Sequence, residues 1–169
     1  EQINVLGNKL SAKKLAKDGG LQLIPGSSNR ISDEQTALDL AKKIGFPVLL
    51  KAANGGGGKG IKIVHHANEF NSNLHLAQTE AQQYFDSPDV YLEKYLSNPR
   101  HIEVQIIGDQ FGNIIHLGER ECSIQRKNQK ILEEAPANFL KTELRHVVCQ
   151  AAVNLAKKIN YQSLGTIEF

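Results

Sequence analysis

The sequence predicts an α+β fold in which helices cover one side of mainly antiparallel sheets. Three observations carry this. Short runs in which β-branched and apolar residues predominate, at 46–53 and 61–64, stand on either side of a glycine stretch, as in a hairpin. An apolar stripe of helical period follows at 68–85. Turn-forming clusters at 25–29 (PGSSN) and 109–113 (DQFGN) punctuate the chain.

In chain order, residues 8–17 carry Leu10 and Leu15 among alanines and lysines and stop at Gly19-Gly20, a short helix with a glycine end. Residues 21–24 (LQLI) read as a strand. Ser32 with Gln35 makes a capping box ahead of Ala37, Leu38, Leu40, Ala41 and Ile44, so a second helix ends near Gly45. Across 68–85, Phe70, Leu74, Ala77, Ala81 and Phe85 recur at spacings of three and four, a helix that packs on the hairpin. Strands follow at 90–95 and 101–107. In the second, Ile102, Val104 and Ile106 alternate with His101, Glu103 and Gln105, which gives one buried and one polar face. A strand at 114–119, a helix over 142–159 with Val147, Val148, Ala151, Leu155 and Ile159 inward, and a strand at 165–169 complete the pass.

The 169 residues suit one ordinary domain or two small lobes, and 40% apolar with 22% charged residues suffices for a core. A net charge of +2 argues against a nucleic-acid partner, so any bound anion is held locally. Two cysteines, Cys122 and Cys149, make neither a disulfide framework nor a structural zinc site and fit a reducing compartment. No apolar stretch approaches the roughly 18 residues that cross a bilayer, and the polar start has no signal-peptide character. No membrane partner is expected. The chain contains no Met and stops within a predicted strand, so the expectation is a piece of a longer protein with an unpaired edge at its end.

The stretch Gly55-Gly56-Gly57-Gly58-Lys59-Gly60 matches GxGxxG, but a strand follows it where a dinucleotide fold needs a helix. A Walker A loop is excluded as well, because Gly60 follows Lys59 and Ala53 stands where its first glycine belongs. A glycine-rich hairpin remains, either a plain surface turn or a flap whose N–H groups approach polyphosphate oxygens. Lys51, at its root, is either a solvated edge charge or a phosphate contact. His101 and Glu103 point the same way from one strand. Glu168, among apolar neighbours, needs either a sheet lysine or a divalent cation. The basic run 125–130 (QRKNQK), followed by Glu133-Glu134-Ala135-Pro136, reads in isolation as a solvated loop; alternatively its cations neutralise transferred phosphate.

Taken together, the glycine run after Lys51, Glu93-Lys94-Tyr95-Leu96, Asn98-Pro99-Arg100-His101-Ile102-Glu103, Gln125-Arg126 through Gln129-Lys130, Glu133-Glu134-Ala135-Pro136 and Gly165-Thr166-Ile167-Glu168-Phe169 closely resemble the biotin carboxylases. Those are ATP-grasp ligases, found as a subunit of acetyl-CoA carboxylase, which serves fatty-acid biosynthesis, and as domains of pyruvate and acyl-CoA carboxylases. The resemblance implies a partial ATP-grasp fold: 1–25 leading in, 26–96 as the lid subdomain, and 97–169 as the first part of the C-terminal ATP-grasp subdomain. It implies a reaction in which Mg-ATP (or Mn-ATP) and bicarbonate give carboxyphosphate, whose CO₂ passes to N1 of biotin on a carboxyl carrier protein. A carboxyltransferase, a homo-oligomeric parent and a cytoplasmic location, or the mitochondrial matrix in a eukaryote, come with it.

Matched by position, Lys9 and Lys51 resemble the lysines on the nucleotide phosphates, with Gly57 and Gly58 in the lid over them. Glu93, Lys94 and Leu96 match the hinge that holds adenine through backbone groups, the Glu93 carboxylate near the exocyclic amine. His101 matches a residue on the ribose side, Gln125 another nucleotide contact, and Lys130 the catalytic lysine associated with bicarbonate and carboxyphosphate. Glu168 is similar to the first of two Mg²⁺ carboxylates. Asn128 stands at a nucleotide contact where many members have His, a neutral amide in place of a protonatable ring. The second metal carboxylate, the bicarbonate arginine and the catalytic base are expected beyond Phe169, so this chain alone is not expected to carboxylate biotin. The rival readings are another ATP-grasp ligase, such as a carbamoyl-phosphate synthetase, and a non-catalytic nucleotide-binding module.

Overall fold

The computed structural model describes residues 8–54, 59–127 and 129–169. They divide into two units, one made of 8–17 and 22–97 and the other of 18–21 and 98–169. None of the described helices is long and apolar enough to cross a membrane.

In the first unit, helix α1 (Lys9–Asp18) starts at Asn8, whose Oδ1 accepts from the backbone N–H groups of Leu10 and Ser11 at 3.1 and 3.0 Å. Helix α2 (Glu34–Ile44) begins one residue later than the capping box implies. Asp33, not Ser32, caps it by accepting from Thr36 N at 2.7 Å, and Gln35 turns instead to Asp39. A carboxylate is the stronger acceptor for the orphan N–H groups. Gly45 ends the helix with φ 86°, a left-handed value that favours glycine.

Strands β1 (Val48–Ala52), β2 (Ile61–Val64) and β3 (Val90–Lys94) form an antiparallel sheet in the order β2-β1-β3. Residues 21–24, read as a strand from sequence, form none. The neighbouring segment docks instead: Ser27 N donates to Leu92 O at 2.9 Å and Pro25 O accepts from Lys94 N at 2.7 Å. A 3₁₀ turn at Ala67–Glu69 leads into α3 (Phe70–Phe85), whose Phe70, Leu74, Ala77 and Ala81 pack on Val48, Leu50, Val64, Val90 and Leu92. Burial alternates along β1, so Val48, Leu50 and Ala52 face this core while Leu49 and Lys51 face away.

In the second unit, β4 (Ile102–Gly108), β5 (Ile114–Arg126), β6 (Gln129–Glu134) and β7 (Ser163–Glu168) form an antiparallel sheet ordered β6-β5-β4-β7. Two sequence readings are corrected here. β5 runs 13 residues rather than stopping at 119, and the basic run is no loop, since it pairs Gln125 with Lys130 and Arg126 with Gln129. Register shifts near Glu121 and Ile124 break the period-two pattern that would have announced these strands. Helix α4 (Thr142–Lys158) buries Cys149, Ala152, Val153 and Ala156 against Val104, Ile106 and Ile114. Val147, expected inward, is 60% exposed. The alanines let the helix lie close to the sheet, and that choice of face is invisible to a count of large apolar residues. The polar face of β4 is not solvated throughout: Glu103 is buried.

Buried Glu119, on β5, ties this unit together. It accepts from Arg145 Nε of α4 at 2.6 Å and from Ala137 N, beyond β6, at 3.1 Å. Burial alone would raise its pKa, but the hydrogen bonds from Arg145 and Ala137 more than offset that and hold it below the ordinary carboxylate value. A depressed folded pKa contributes stability above the unfolded-chain value of about 4.3, and that contribution is lost as pH falls through the folded value. Glu119→Gln should therefore cost about 2 kcal/mol at neutral pH and flatten the acid limb of stability, read from urea midpoints between about pH 2 and about 7. An unchanged acid limb would contradict the assignment. Separately, a Cβ on Gly26 would lie 2.2 Å from Leu92 O. Gly26→Ala is expected to lower stability by about 2 kcal/mol in the same assay, through displacement of the segment docked on β3.

Candidate functional site

In the first unit the antiparallel register sets Lys51 opposite Tyr91 and Leu49 opposite Glu93, so Lys51, Tyr91 and Glu93 share the face turned away from the core. Helix α1 brings Lys13 to the same place. Glu93 is buried, and its two oxygens are divided between two ammonium groups: Oε1 accepts from Lys13 Nζ at 2.8 Å and Oε2 from Lys51 Nζ at 2.5 Å. Burial would raise the Glu93 pKa, but the Lys51 charge and the lysine hydrogen bonds win and leave it lowered. Lys13 also lies 5.2 Å from the centroid of the buried Tyr91 ring. Burial first, and the Glu93 charge second, push the Tyr91 hydroxyl upward, so it stays protonated. One carboxylate against two lysines leaves a surplus positive charge, which suits an anion.

Sequence reasoning missed Lys13. The available signal was its i, i+4 spacing from Lys9 on one helix face. Lys9 opens α1, and its backbone N donates to Ala53 O at 3.1 Å, next to the start of the glycine run. Lys94 spends its ammonium on the carbonyls of Gly45 and Phe46, at 2.8 and 3.2 Å, and Leu96 is partly exposed beyond β3. The Glu93 carboxylate, expected near an adenine amine, is held by the two lysines. Gly57, Gly58 and Asn128 lie outside the described residues.

In the second unit Glu103 is paired across the sheet with Arg120 on one side and Glu168 on the other, so the three share a face. The Glu103 side chain is only 2% exposed and is held by hydrogen bonds from Arg120 Nε, at 2.8 Å, from Arg120 Nη2 and from Lys130 Nζ. Arg120 Nη1 also donates to Gln105 Oε1 at 2.9 Å, and Arg120 Nε lies 3.3 Å from Glu133. Burial raises the Glu103 pKa, but the hydrogen bonds from Lys130 and Arg120 leave it lowered. For Lys130 burial works downward, and the bonds to Glu103 and Glu168 overcome it and raise the pKa. Lys130 is thus a fixed cation rather than a base. Sequence placed Glu103 with His101 on one strand face without giving it a role, and it missed Arg120; the alternating charges of 118–121 (GERE) are the trace of this network.

Glu168 is 58% exposed and accepts from Lys130 at 3.0 Å, so the sheet lysine that the sequence offered as one alternative is present. Atoms of His101, Glu103 and Glu168 lie within 4.8 Å of one another. Mg²⁺ takes oxygen ligands and is commonly held by one or two carboxylates plus substrate phosphates. Glu168, exposed and held on one oxygen only, fits that requirement; Glu103, saturated by two cations, does not. The buried thiol of Cys122 is pushed up, first by burial and then by the Glu103 charge, so it is no thiolate.

A family model described as "Carbamoyl-phosphate synthase L chain, ATP binding domain" matches residues 8–169. All 169 residues are 50% identical to a biotin carboxylase of Nostoc sp., of which the chain spans 38%. Among solved structures, the fold matches a biotin carboxylase from Campylobacter jejuni in a β-γ-ATP complex, with a TM-score of 0.95 and 45% identity over 99% of this chain and 37% of that one. It also matches the biotin carboxylase domain dimer of Hydrogenobacter thermophilus 2-oxoglutarate carboxylase, solved with MgADP, ADP and bicarbonate, with a TM-score of 0.94 and 47% identity over 99% of this chain and 37% of that one. The chain therefore spans well under half of the proteins it matches. With its ATP-grasp architecture, the chain belongs to the family of the carbamoyl-phosphate synthase L chain ATP-binding domain, and it is similar over its whole length to one stretch of the biotin carboxylases.

Proposed function

We propose that this chain is the ATP-binding portion of a biotin carboxylase. The observation that carries the reading is the pairing of lysines with buried carboxylates, Lys51 and Lys13 on Glu93 and Lys130 on Glu103, in a chain so similar to carboxylases solved with nucleotide and bicarbonate. In the whole protein, a bicarbonate oxygen attacks the γ-phosphorus of ATP and ADP leaves; the C–O bond of the resulting carboxyphosphate then breaks, phosphate is released, and the CO₂ bonds to N1 of biotin on a carrier protein as N1 gives up its proton. Residues 26–96 serve as the lid subdomain, 1–25 lead into it, and 97–169 begin the C-terminal ATP-grasp subdomain.

Each cation has a role in this reading. Lys51, Lys13 and Lys9 offset polyphosphate charge, and Glu93 holds the first two at fixed reach, so little reorganisation is needed when phosphate arrives. Gly57 and Gly58 cover the phosphates without Cβ interference. Adenine is held by backbone groups from Lys94 to Leu96. Lys130, kept cationic, faces the bicarbonate and the anionic intermediate, while His101, Gln125 and Asn128 contact the nucleotide. Glu168 would supply an oxygen to Mg²⁺, which would neutralise polyphosphate charge. A carboxyltransferase and a second protomer are the expected partners of the full protein.

Removing Lys51 removes a charge-assisted contact worth about 1.5–3 kcal/mol. Lys51→Ala is therefore expected to weaken Mg-ATP binding about ten- to a hundredfold by calorimetry. Unchanged affinity in a folded variant would refute the phosphate assignment. Glu168→Gln should weaken Mn²⁺ binding in the presence of ADP by about tenfold, read by electron paramagnetic resonance. Equal Mn²⁺ occupancy in both proteins would exclude Glu168 as a ligand.

A further inference from the structure

The main chain fixes the root of the His101 ring. His101 N donates to Ser123 Oγ at 2.9 Å, and its carbonyl accepts from Cys122 N at 2.8 Å. On the ring itself, Gln125 Nε2 lies 2.7 Å from the Cys122 carbonyl oxygen and 3.1 Å from His101 Nδ1. A backbone carbonyl only accepts. Were the amide turned over, its own oxygen would oppose that carbonyl, acceptor against acceptor, so the main chain dictates which end of the amide faces inward. One amide hydrogen serves Cys122 and the other points at Nδ1, which must accept it. An accepting Nδ1 carries no proton, and the ring proton then sits on Nε2. That Nε2 is buried and has no hydrogen-bond partner among the described residues, although Glu168 Oε1 lies 3.4 Å away and Glu103 Oε2 3.9 Å.

We infer that Gln125 is a positioning residue that locks the His101 tautomer, so that the corner beside Glu168 offers a cation oxygen atoms only and admits Mg²⁺-like ions over imidazole-seeking ones. His101 would otherwise be the nitrogen ligand in the group His101, Glu103 and Glu168. Zinc and its neighbours favour imidazole, whereas Mg²⁺ and Mn²⁺ favour carboxylate, phosphate and water. A hydrogen on Nε2 bars coordination and donates instead to an oxygen: the Glu168 carboxylate, or a nucleotide hydroxyl or phosphate. This part rests on the reading of Glu168 as a metal carboxylate; the tautomer does not.

The test is nuclear magnetic resonance of the chain with ¹⁵N-labelled histidine at about pH 8, above the ordinary imidazole pKa. His101 is identified by the signal lost in His101→Gln. The wild type should show the Nε2–H form, and Zn²⁺ should leave the His101 nitrogens unshifted. In Gln125→Glu the carboxylate has no hydrogen for the Cys122 carbonyl and turns from it to accept from Nδ1–H, which frees the Nε2 lone pair. That variant should show the Nδ1–H form and gain at least about tenfold in Zn²⁺ affinity with a shifted Nε2 resonance. Gln125→Met, similar in length but without a donor, should give a mixture of tautomers. An Nδ1–H or doubly protonated ring in the wild type, Zn²⁺ on its Nε2, or a wholly Nε2–H ring in either Gln125 variant would overturn the inference. Calorimetry of Mg-ATP on the same samples separates the two claims, because lost nucleotide binding with the tautomer intact defeats the functional reading alone.

Discussion

A carboxylate shut away from water and shared between two cations is the motif on which both units are built. Glu93 holds Lys13 and Lys51, and Glu103 holds Arg120 and Lys130. Burying a lone charge is prohibitive, and burying a matched pair is close to neutral once hydrogen bonds are complete. Around Glu93 one buried anion with two cations leaves a net positive charge in side chains already ordered, whereas Glu133 and Glu168 return negative charge to Arg120 and Lys130. The folding free energy has thus covered part of the entropy that a flexible lysine would lose on gripping an anion. Glu119 with Arg145 is the same chemistry used for structure alone: there the charges balance, and nothing is left over for a ligand.

Strand parity separates these tasks. In β1 the inward residues build the core with α3 and the alternate ones carry Lys51; in β4 the inward residues meet α4 and the alternate ones carry Glu103. An antiparallel register then brings side chains distant in sequence to one face, as Glu103 with Arg120 and Glu168. A period of two is sufficient to keep a polar network apart from an apolar core a single residue away.

Much of this was legible without coordinates. The stripe on α3, the alternation along β4 and the strands around the glycine run follow from periodicity, and the resemblance of the motifs pointed to the family. What escaped depends on tertiary context. The β5–β6 hairpin hides behind register shifts and a basic composition that mimics a loop, so its pairing of Gln125 with Lys130 had no local signal. α4 buries Leu155 as expected but fills the rest of its inner face with Cys149, Ala152, Val153 and Ala156 and exposes Val147, so large apolar residues alone do not mark that face. Lys13, Glu103 and Arg120 are ordinary surface residue types until burial and partners are known, because a charge becomes informative only once it is known what removes its water.

The cross-strand pairing of Gln125 with Lys130 also ties geometry to chain length. Both side chains stand on one face because the two strands meet at that register. Slippage of β6 by a single residue would turn the Lys130 ammonium away from the face that Gln125 keeps. The number of residues joining Arg126 to Gln129 therefore acts as a ruler: it sets whether the ammonium reaches the face on which the amide stands.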